Sequence, residues 1–481
     1  MAHAKKKACA HQTVLLDASE YGRKTAGFER VRIDKRIAAT TRSGRVPDGG
    51  TSSLGPAAPD ASTFPGPLVL PDDELALHPR YPSQSLRSWI NGGYRNPITP
   101  DRKTLYVADV PRIEDSAAFM RDWAEPDVED IIDPEEFPRL EHPGTGDLVE
   151  YLTAFYHPLE VKLLPVPMRF VRWEGAREGK VAGRPGMVGL ATGETTIVGV
   201  RARPSKDEIA RMQLNLNDLL DALMGVLPGD AYASVMVAAQ DLYEDEEDDF
   251  CCGRAFGGSR ISVVSSFRYR PVLDLAFGVE VGHMWPLAHC GRFVEGFCEE
   301  FERENGEEGG RKRKRGGRKA ESDGEVVLDL KKRTGTALGA AINAAKKVVV
   351  PKTKEDQRGL WFSRVARTAA HELGHCFGMD HCVYYACVMQ GTAGLGEDAR
   401  QPPYLCPGCE ARVVYGLGEM GVVEGGNGGR WAEGRKMEVE RERMEAMRAF
   451  CEGWKGVGMF AGYWGWLEER LKQFATDDKK F

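Results

Sequence analysis

The chain has 481 residues, with 65 Lys or Arg and 72 Asp or Glu, so its net charge is −7. This mildly acidic balance does not favour nucleic-acid binding in general. The sequence contains no apolar run of roughly 18 residues, so it predicts no membrane span. Its 11 cysteines are odd in number and no apolar signal-like run occurs in residues 1–20, which favours reduced thiols in an intracellular protein.

The first third of the chain is irregular in composition. Residues 1–65 mix Gly, Ser, Thr, Pro and basic residues with little periodicity, which predicts a disordered N-terminal segment. Residues 66–150 contain many prolines and only short apolar groups, at 68–70 and 105–107. We interpret this stretch as an extended arm that packs on a catalytic domain covering residues 151–475.

Strand-like and helix-like segments alternate through the next part of the chain. Residues 213–227 repeat Leu and Met at helical spacing. Runs typical of β-strands occupy residues 159–164, 168–173, 195–200 and 234–239. This alternation predicts an α/β fold with a mixed twisted sheet.

Two charged segments interrupt this pattern. Residues 244–249 form an unbroken acidic run, which we interpret as a solvated loop because its spacing matches no EF-hand. Residues 303–324 are rich in Gly, Glu and Lys and predict a disordered insertion. The basic cluster within it, at 311–319, is consistent with either a solvated loop or a nuclear localisation signal.

A group of His and Cys residues lies just before the insertion. Four potential metal ligands occur close together in the sequence: His283, His289, Cys290 and Cys298. Aromatic and apolar residues are interleaved with them, as expected for a packed core. We therefore favour packing over a metal site for this group.

The most informative segment reads HELGHCFGMDH, from His371 to His381. Apolar residues precede it at three- and four-residue spacing, which predicts a helix with one buried face. His371 and His375 then project from the same side of one turn and can bind one metal ion. Gly378 tolerates positive φ, so the chain can turn and return His381 as a third ligand. Three imidazoles leave one zinc position open for water, and Glu372 is placed to take its proton.

A second set of metal ligands follows immediately. Cys382 and Cys387 precede a CPGC knuckle that runs from Cys406 to Cys409. Two thiolates followed by a CxxC have the spacing of a closed zinc site with four thiolate ligands. Such a site has no open position, so its role would be to stabilise the fold.

The ordered pattern HExxHxxGxxHC, four residues, Cys, one residue, Met, a spacer and CxxC resembles that of the archaemetzincins, a family of metzincin-type zinc peptidases. Weaker similarity extends from about Phe155 to the C-terminus. The resemblance implies a metzincin-like catalytic domain with an active-site helix, a methionine turn and an added four-cysteine zinc site. It assigns two Zn²⁺ ions and these roles: His371, His375 and His381 on the catalytic zinc, Glu372 as catalytic base, Met389 and Gly378 in support, and Cys382, Cys387, Cys406 and Cys409 on the structural zinc.

The resemblance also implies an activity. The chain would be a zinc metallopeptidase that hydrolyses peptide bonds through a zinc-bound water activated by Glu372. Aminopeptidase character is one mode of cleavage that the resemblance allows. Its partner would be a peptide or protein substrate, with no membrane and no nucleic acid. In metzincins an edge strand above the active-site helix pairs with the substrate backbone, and residues 257–267 are either that strand or an ordinary interior strand.

The alternative function is a zinc-stabilised protein that binds peptide or nucleic acid without hydrolytic activity. Glu372 argues against this alternative because a scaffold has no chemical use for that carboxylate, whereas the basic cluster at 311–319 argues for it. We expect an intracellular, cytoplasmic protein, with a nuclear location as the alternative. The sequence leaves the oligomeric state open.

Overall fold

The structure of the protein is a computed structural model. It describes residues 9–48, 60–93, 95–128, 139–174, 186–306, 327–332, 335–348, 350–351, 353–424 and 433–477. The basic cluster at 311–319 and most of the predicted insertion at 303–324 lie outside the described residues.

The protein has a mixed α/β fold. In chain order the strands of the described residues are β1 (Thr13–Leu15), β2 (Thr104–Ala108), β3 (Arg112–Ile113), β4 (Glu160–Leu163), β5 (Arg169–Val171), β6 (Met187–Ala191), β7 (Ile197–Arg203), β8 (Gln213–Asn215), β9 (Ala231–Ala238), β10 (Asp241–Tyr243), β11 (Gly253–Phe256), β12 (Ile261–Ser265) and β13 (Val327–Asp329). The α-helices are α1 (Ile33–Ala38), α2 (Glu74–Leu77), α3 (Leu86–Asn91), α4 (Thr145–Phe155), α5 (Leu216–Met224), α6 (Gly291–Gly306), α7 (Ala337–Ala345), α8 (Lys354–Cys376), α9 (Leu395–Ala399), α10 (Pro407–Glu424), α11 (Glu433–Gly453) and α12 (Gly458–Asp477). None of the helices in this described part combines the length and apolarity needed to cross a bilayer.

A five-stranded sheet, in the order β11-β12-β9-β2-β4, supports the site. Its strands pair in parallel except that β11 pairs antiparallel with β12 and forms one edge. Every residue of β9 is buried, as expected for a central parallel strand covered on both faces. Helix α8 packs on the face formed by β12, β11 and β9.

A six-stranded sheet, in the order β10-β8-β7-β6-β5-β3, packs beside the first. The two sheets share an apolar cluster in which Met236 and Val263 of the first sheet meet Phe170 and Leu190 of the second. Helix α5 adds Leu220 to this cluster. Because α8 lies in a separate core cluster, the second sheet packs against the first and does not line the motif.

Helix α8 is delimited by local chemistry at both ends. The Thr353 hydroxyl accepts from the Asp356 N–H at 3.1 Å, and the Asp356 carboxylate accepts from the Thr353 N–H at 3.2 Å, which is a capping box. On its buried face, the Trp361 indole donates to the Ser266 carbonyl at 2.7 Å, just beyond β12. The helix ends before Gly378, whose φ of 76° lets the chain turn away.

The N-terminal segment differs from the disorder predicted for residues 1–65. Within the described residues, β1 pairs antiparallel with β13. Val14 and Leu16 are buried together with Leu328 and Leu338 in a small apolar cluster. A three-residue strand carries too little periodicity to be recognised, and its partner lies about three hundred residues away, so no local pattern could reveal the pairing.

Residues 66–150 also differ from the extended arm that their prolines predicted. Strand β2 lies between β9 and β4 within the five-stranded sheet, and the apolar group at 105–107 forms its middle. Helix α4 crosses the predicted domain boundary at residue 151. The core around α8 therefore includes residues that precede 151.

The predicted segment at 257–267 contains β12, which is an interior strand between β11 and β9. Of the two interpretations of this segment, the ordinary interior strand is the one observed. The edge strand of the sheet on this side is β11, which comes earlier in the chain.

Candidate active site and metal centres

The C-terminal half of α8 faces a cleft of about 1250 Å³. Strand β11 lines one side of the cleft, and the loop from Val388 to Gln401 lines the other. Residues 81–84, between α2 and α3, close a third side. The residues of the HExxH segment and its turn that line the cleft include His371, Glu372, His375 and His381.

The structure brings the three histidines together. One ligand nitrogen from each lies within 4.8 Å of the other two, and Nε2 of His375 is 3.0 Å from Nε2 of His371. The Nδ1 atoms of two of these rings face backbone carbonyls. Nδ1 of His371 lies 2.7 Å from the Val388 oxygen, and Nδ1 of His375 lies 2.8 Å from the Met379 oxygen. A ring that donates through Nδ1 presents its Nε2 lone pair to a metal.

Burial keeps these rings neutral. Desolvation, together with the charge of His381, lowers the pKa of His375 to about 4. Desolvation also lowers the pKa of His371 and of His381. Since the neutral imidazole is the metal-binding form, three such rings fit a zinc ion with one position left open.

The turn after α8 requires glycine and is held by side chains. A Cβ on Gly378 would lie 2.9 Å from the Cα of Arg95, and its φ of 76° is unfavourable for other residues. The Asp380 carboxylate accepts from the His381 N–H at 2.9 Å and from the Tyr81 hydroxyl at 3.0 Å. These contacts return His381 to the helix face that carries the other two histidines.

Glu372 lies in a narrow space between α8 and β11. The residue is only 6% exposed, and burial raises the pKa of its carboxyl to about 8, against the opposing effect of the Arg254 charge. A Cβ on Gly253 of β11 would lie 2.9 Å from Oε1 of Glu372. The absence of a side chain at Gly253 therefore leaves the space that the carboxylate occupies.

Met389 packs directly on the motif helix. It is fully buried, and a Cβ on Gly374 would contact its sulfur and lie 3.0 Å from its Cε. A Cβ on Gly391 would lie 2.7 Å from Nδ1 of His381. Glycines at both positions thus allow the loop after His381 to lie close against the histidine cluster.

The four cysteines after the motif form a second, buried cluster. The Cys406 N–H donates to Sγ of Cys387 at 3.2 Å, and the Met389 N–H donates to the same sulfur at 3.5 Å. Arg412, which is 1% exposed, donates to Sγ of Cys409 at 3.4 Å. Hydrogen bonds and a buried cation of this kind stabilise thiolates. The sulfur atoms within 4.8 Å of one another belong to Cys382, Cys387, Cys406 and Cys409.

The segment that carries the motif matches a known protein family. The model of peptidase family M54 matches residues 331–414, which contain the histidines and the four cysteines. Archaemetzincin-2 of Macaca fascicularis and of Homo sapiens are each 22% identical over 367 residues, covering 76% of this chain and 73% of the relative. The chain is thus similar to the archaemetzincin family over 76% of its length. It is therefore a zinc metallopeptidase.

Other members are more similar over shorter stretches. The archaemetzincin of Aeropyrum pernix is 35% identical over 86 residues, which are 18% of this chain and 44% of that relative. The crystal structure of the archaemetzincin from Methanopyrus kandleri aligns with 66% of this chain and 97% of its own, at 16% identity and a TM-score of 0.30.

Residues far from the motif in the sequence support its turn. Nε2 of Gln84 donates to the Gly378 carbonyl at 3.1 Å, and Oε1 of Gln84 accepts from the Asp380 N–H at 3.1 Å. The Trp89 indole donates to the Phe377 carbonyl at 2.9 Å. Gln84 and Gly378 are 294 residues apart, so the motif itself carries no sign of these partners.

Arg367 is a further residue that the motif did not identify. It lies one turn before His371 and forms a buried ion pair with Asp398 on the cleft wall. It also donates to the Gln401 carbonyl at 3.3 Å. Burial raises the pKa of Asp398 and Arg367 opposes that rise. The signal that could have identified this pair was an Arg one helical turn before the first histidine of the motif, in a segment of the helix that is mostly buried.

The His and Cys group before the insertion does not assemble as a set. Nδ1 of His289 pairs with the Leu15 carbonyl at 3.0 Å, and Cys298 packs in an apolar cluster, as the packing interpretation predicts for both. His283 instead lies near His11, with ring centroids 5.3 Å apart, and Sγ of Cys290 lies 3.1 Å from Sγ of Cys9.

Proposed function

We propose that this metallopeptidase hydrolyses peptide bonds at a zinc ion held by His371, His375 and His381, with Glu372 as the general base. The observation that carries the proposal is the approach of three neutral imidazoles, each with one ring nitrogen in the cluster, next to a carboxylate in the same cleft. Three protein ligands with one free position are the donor set of a catalytic zinc.

Each residue has a separate chemical role in this proposal. When bound, zinc supplies a Lewis acid that polarises the scissile carbonyl and lowers the pKa of water towards ~7. Glu372 accepts the proton of the attacking water and then donates it to the leaving amine. Burial raises the pKa of Glu372 to about 8, and a nearby dication would lower it towards the range where the carboxylate is a base at neutral pH.

We further propose that the four-cysteine cluster holds a structural zinc, which makes two ions together with the catalytic one. Its support is complete burial of the sulfurs, N–H donors to Cys387 and the Arg412 cation beside Cys409. Four protein ligands leave no position for substrate, so this ion would stabilise the loop. Met389, which packs on α8 between the two ligand sets, would form the methionine turn.

We infer that the peptide substrate lies along β11. This strand is the edge of the five-stranded sheet, and its residues line the cleft next to Glu372. Edge strands offer backbone groups that an extended peptide can pair with. Aminopeptidase character would require, in addition, that the free amino group of the peptide contribute to binding.

The test is cleavage of a peptide library by the full chain and by Glu372→Gln. We expect Glu372→Gln to retain its metal and lose at least about 100-fold in kcat, because a positioned general base contributes that much. Glu355→Gln, the same change at an exposed position in the first turn of α8, is the matched control and should cleave like the wild type.

Two outcomes would contradict parts of the proposal. Cleavage by Glu372→Gln at the wild-type rate would remove Glu372 from its role. No turnover by a fully metal-loaded wild type would favour the non-hydrolytic peptide-binding alternative. Pairs of peptides with free and acetylated N-termini then decide the mode, since an aminopeptidase loses activity on acetylated substrates and an endopeptidase does not.

A further inference from the structure

A third cluster of metal-ligand residues lies away from the cleft. One ligand atom from each of Cys9, His11 and His283 lies within 4.8 Å of the other two. Sγ of Cys290 is 3.1 Å from Sγ of Cys9, so a further sulfur lies next to one member of this group. Two residues come from the N-terminal segment and two from the turns that precede α6, and none belongs to the histidine or four-cysteine clusters.

The two histidines of this cluster have buried nitrogens without partners. Nδ1 of His11 and Nε2 of His283 make no hydrogen bond with the described residues, although both atoms are buried. His11 as a whole is only 7% exposed. An unpaired buried polar atom costs free energy, so two in one small cluster indicate that a ligand satisfies them.

The second nitrogen of His283 has the partner that a metal-binding histidine usually has. Nδ1 of His283 lies 3.0 Å from a carboxylate oxygen of Glu280. When Nδ1–H donates to a carboxylate, the ring orientation is fixed and Nε2 becomes a more basic ligand. Nε2 is the atom of His283 that is buried without a partner among the described residues.

We propose that Cys9, His11, His283 and Cys290 bind a zinc ion in a closed structural site. Two thiolates and two imidazoles form a Cys₂His₂ donor set, which suits tetrahedral zinc. The Nζ of Lys346 donates to the Ala10 carbonyl at 2.8 Å, which places a positive charge beside the two thiolates. With four protein ligands the ion has no position for substrate, so it acts on the fold.

The site would fasten the N-terminal segment to one wall of the cleft. Val14 of β1 already forms an isolated bridge to Cys290. The N–H of Trp285, between the two later ligands, donates to the Ala399 carbonyl at 3.0 Å at the end of α9. Asp398, one residue earlier, lines the cleft. The zinc would therefore hold β1 and the turns before α6 against the element that carries Asp398.

A disulfide between Cys9 and Cys290 is the competing explanation for their short sulfur separation. It would use both sulfurs but leave Nδ1 of His11 and Nε2 of His283 buried and unpaired within the described part of the chain. A zinc ion accounts for all four residues, which is why the geometry favours it.

The test is the zinc content of the full chain, purified with a reductant that does not bind metal. We expect Cys9→Ser and His11→Asn each to contain one zinc fewer per chain than the wild type. Cys298→Ser is the matched control, because Cys298 lies in the same sequence region but in an apolar cluster, and it should contain as much zinc as the wild type. Because the readout is a difference in metal content, it does not depend on peptidase activity.

Three results would overturn the proposal. The first is equal zinc content in the wild type, Cys9→Ser and His11→Asn. The second is a non-reduced, denatured wild type that lacks two titratable thiols which reappear on reduction, since that marks the disulfide. The third is an identical thiolate-to-cobalt absorption in the cobalt-loaded wild type and in cobalt-loaded His11→Asn. This comparison still applies if Cys9→Ser does not fold.

Discussion

Gly253 controls the space around the proposed general base. A Cβ at this position would lie 2.9 Å from Oε1 and 3.1 Å from Cγ of Glu372. The contact is with the end of a side chain, so Gly253→Ala should displace the carboxylate and leave the fold intact. Because a displacement of about 1 Å at a reacting group can cost ~100-fold, we expect kcat to fall by roughly 10- to 100-fold.

The measurement for Gly253→Ala is kcat on a cleaved peptide, with zinc content and melting temperature recorded beside it. Gly258→Ala is the control, since a Cβ there meets nothing within 4 Å. An equal loss of kcat in both variants would mean that the loop, and not the position of Glu372, limits activity.

At the scale of single residues, the sequence identified the cleft residues that lie within one short segment. His371, Glu372 and His375 lie on consecutive turns of a helix, so their proximity follows from helical geometry. Tyr81 and Gln84 were not identified, because their contacts with Asp380 and Gly378 join parts of the chain nearly three hundred residues apart.

At the scale of elements, the end of α8 and the loop after it carry the two proposed ligand sets, which adjoin at His381 and Cys382. We expect His375→Ala to lose one zinc, the proposed catalytic ion, and to keep the proposed four-thiolate ion, because the two sets share no ligand. Cys406→Ser should lower the melting temperature more than His375→Ala does, since a buried structural metal contributes directly to folding.

Zinc content and melting temperature of the full chain check this prediction. Cys451→Ser, a change of a buried cysteine on α11 that belongs to no metal cluster in the described residues, controls for the cost of burying a hydroxyl. Loss of both ions from His375→Ala would contradict the independence of the two sites.

Elements were predictable where their pattern was long. The apolar spacing before the motif predicted α8, and the capping box at its start is visible in the sequence as well. β2 was not recognised as an interior strand because five residues among prolines do not specify a pairing partner. The position of β11 at the edge was likewise decided by the order in which the strands pair.

At the scale of the whole molecule, His142 links the N-terminal region to the helix core. Its Nε2 lies 2.8 Å from the Ser266 hydroxyl, and its ring packs edge-on against Trp361 at 5.2 Å. Burial lowers the pKa of His142 from 6.5 to about 4, so the folded chain holds the ring neutral. The neutral His142 ring contributes its full stabilisation above pH 6.5. This contribution is lost as the pH falls from 6.5 towards 4, because His142 binds a proton in the unfolded chain at a higher pH than in the folded chain.

At pH 5 this difference in protonation lowers the free energy of unfolding by about 2 kcal/mol. We therefore expect His142→Gln to be less stable than the wild type at pH 7.5 and to approach it at pH 5. Melting temperatures of both proteins at both pH values check this, and protonation of the zinc ligands affects the two proteins alike. A stability difference that is the same at pH 7.5 and pH 5 would contradict the assignment.

The sequence by itself predicted that the two proposed ligand sets between His371 and Cys409 lie close together. Helical spacing, one turn at Gly378 and a CxxC knuckle act over a few residues, so local geometry is enough to bring the donors near one another. Only the tertiary structure decided which strand lines the cleft, which residues support the turn and that Cys9 and His11 meet His283 and Cys290. These contacts depend on how distant segments pack, and packing is governed by the shape and burial of the whole core.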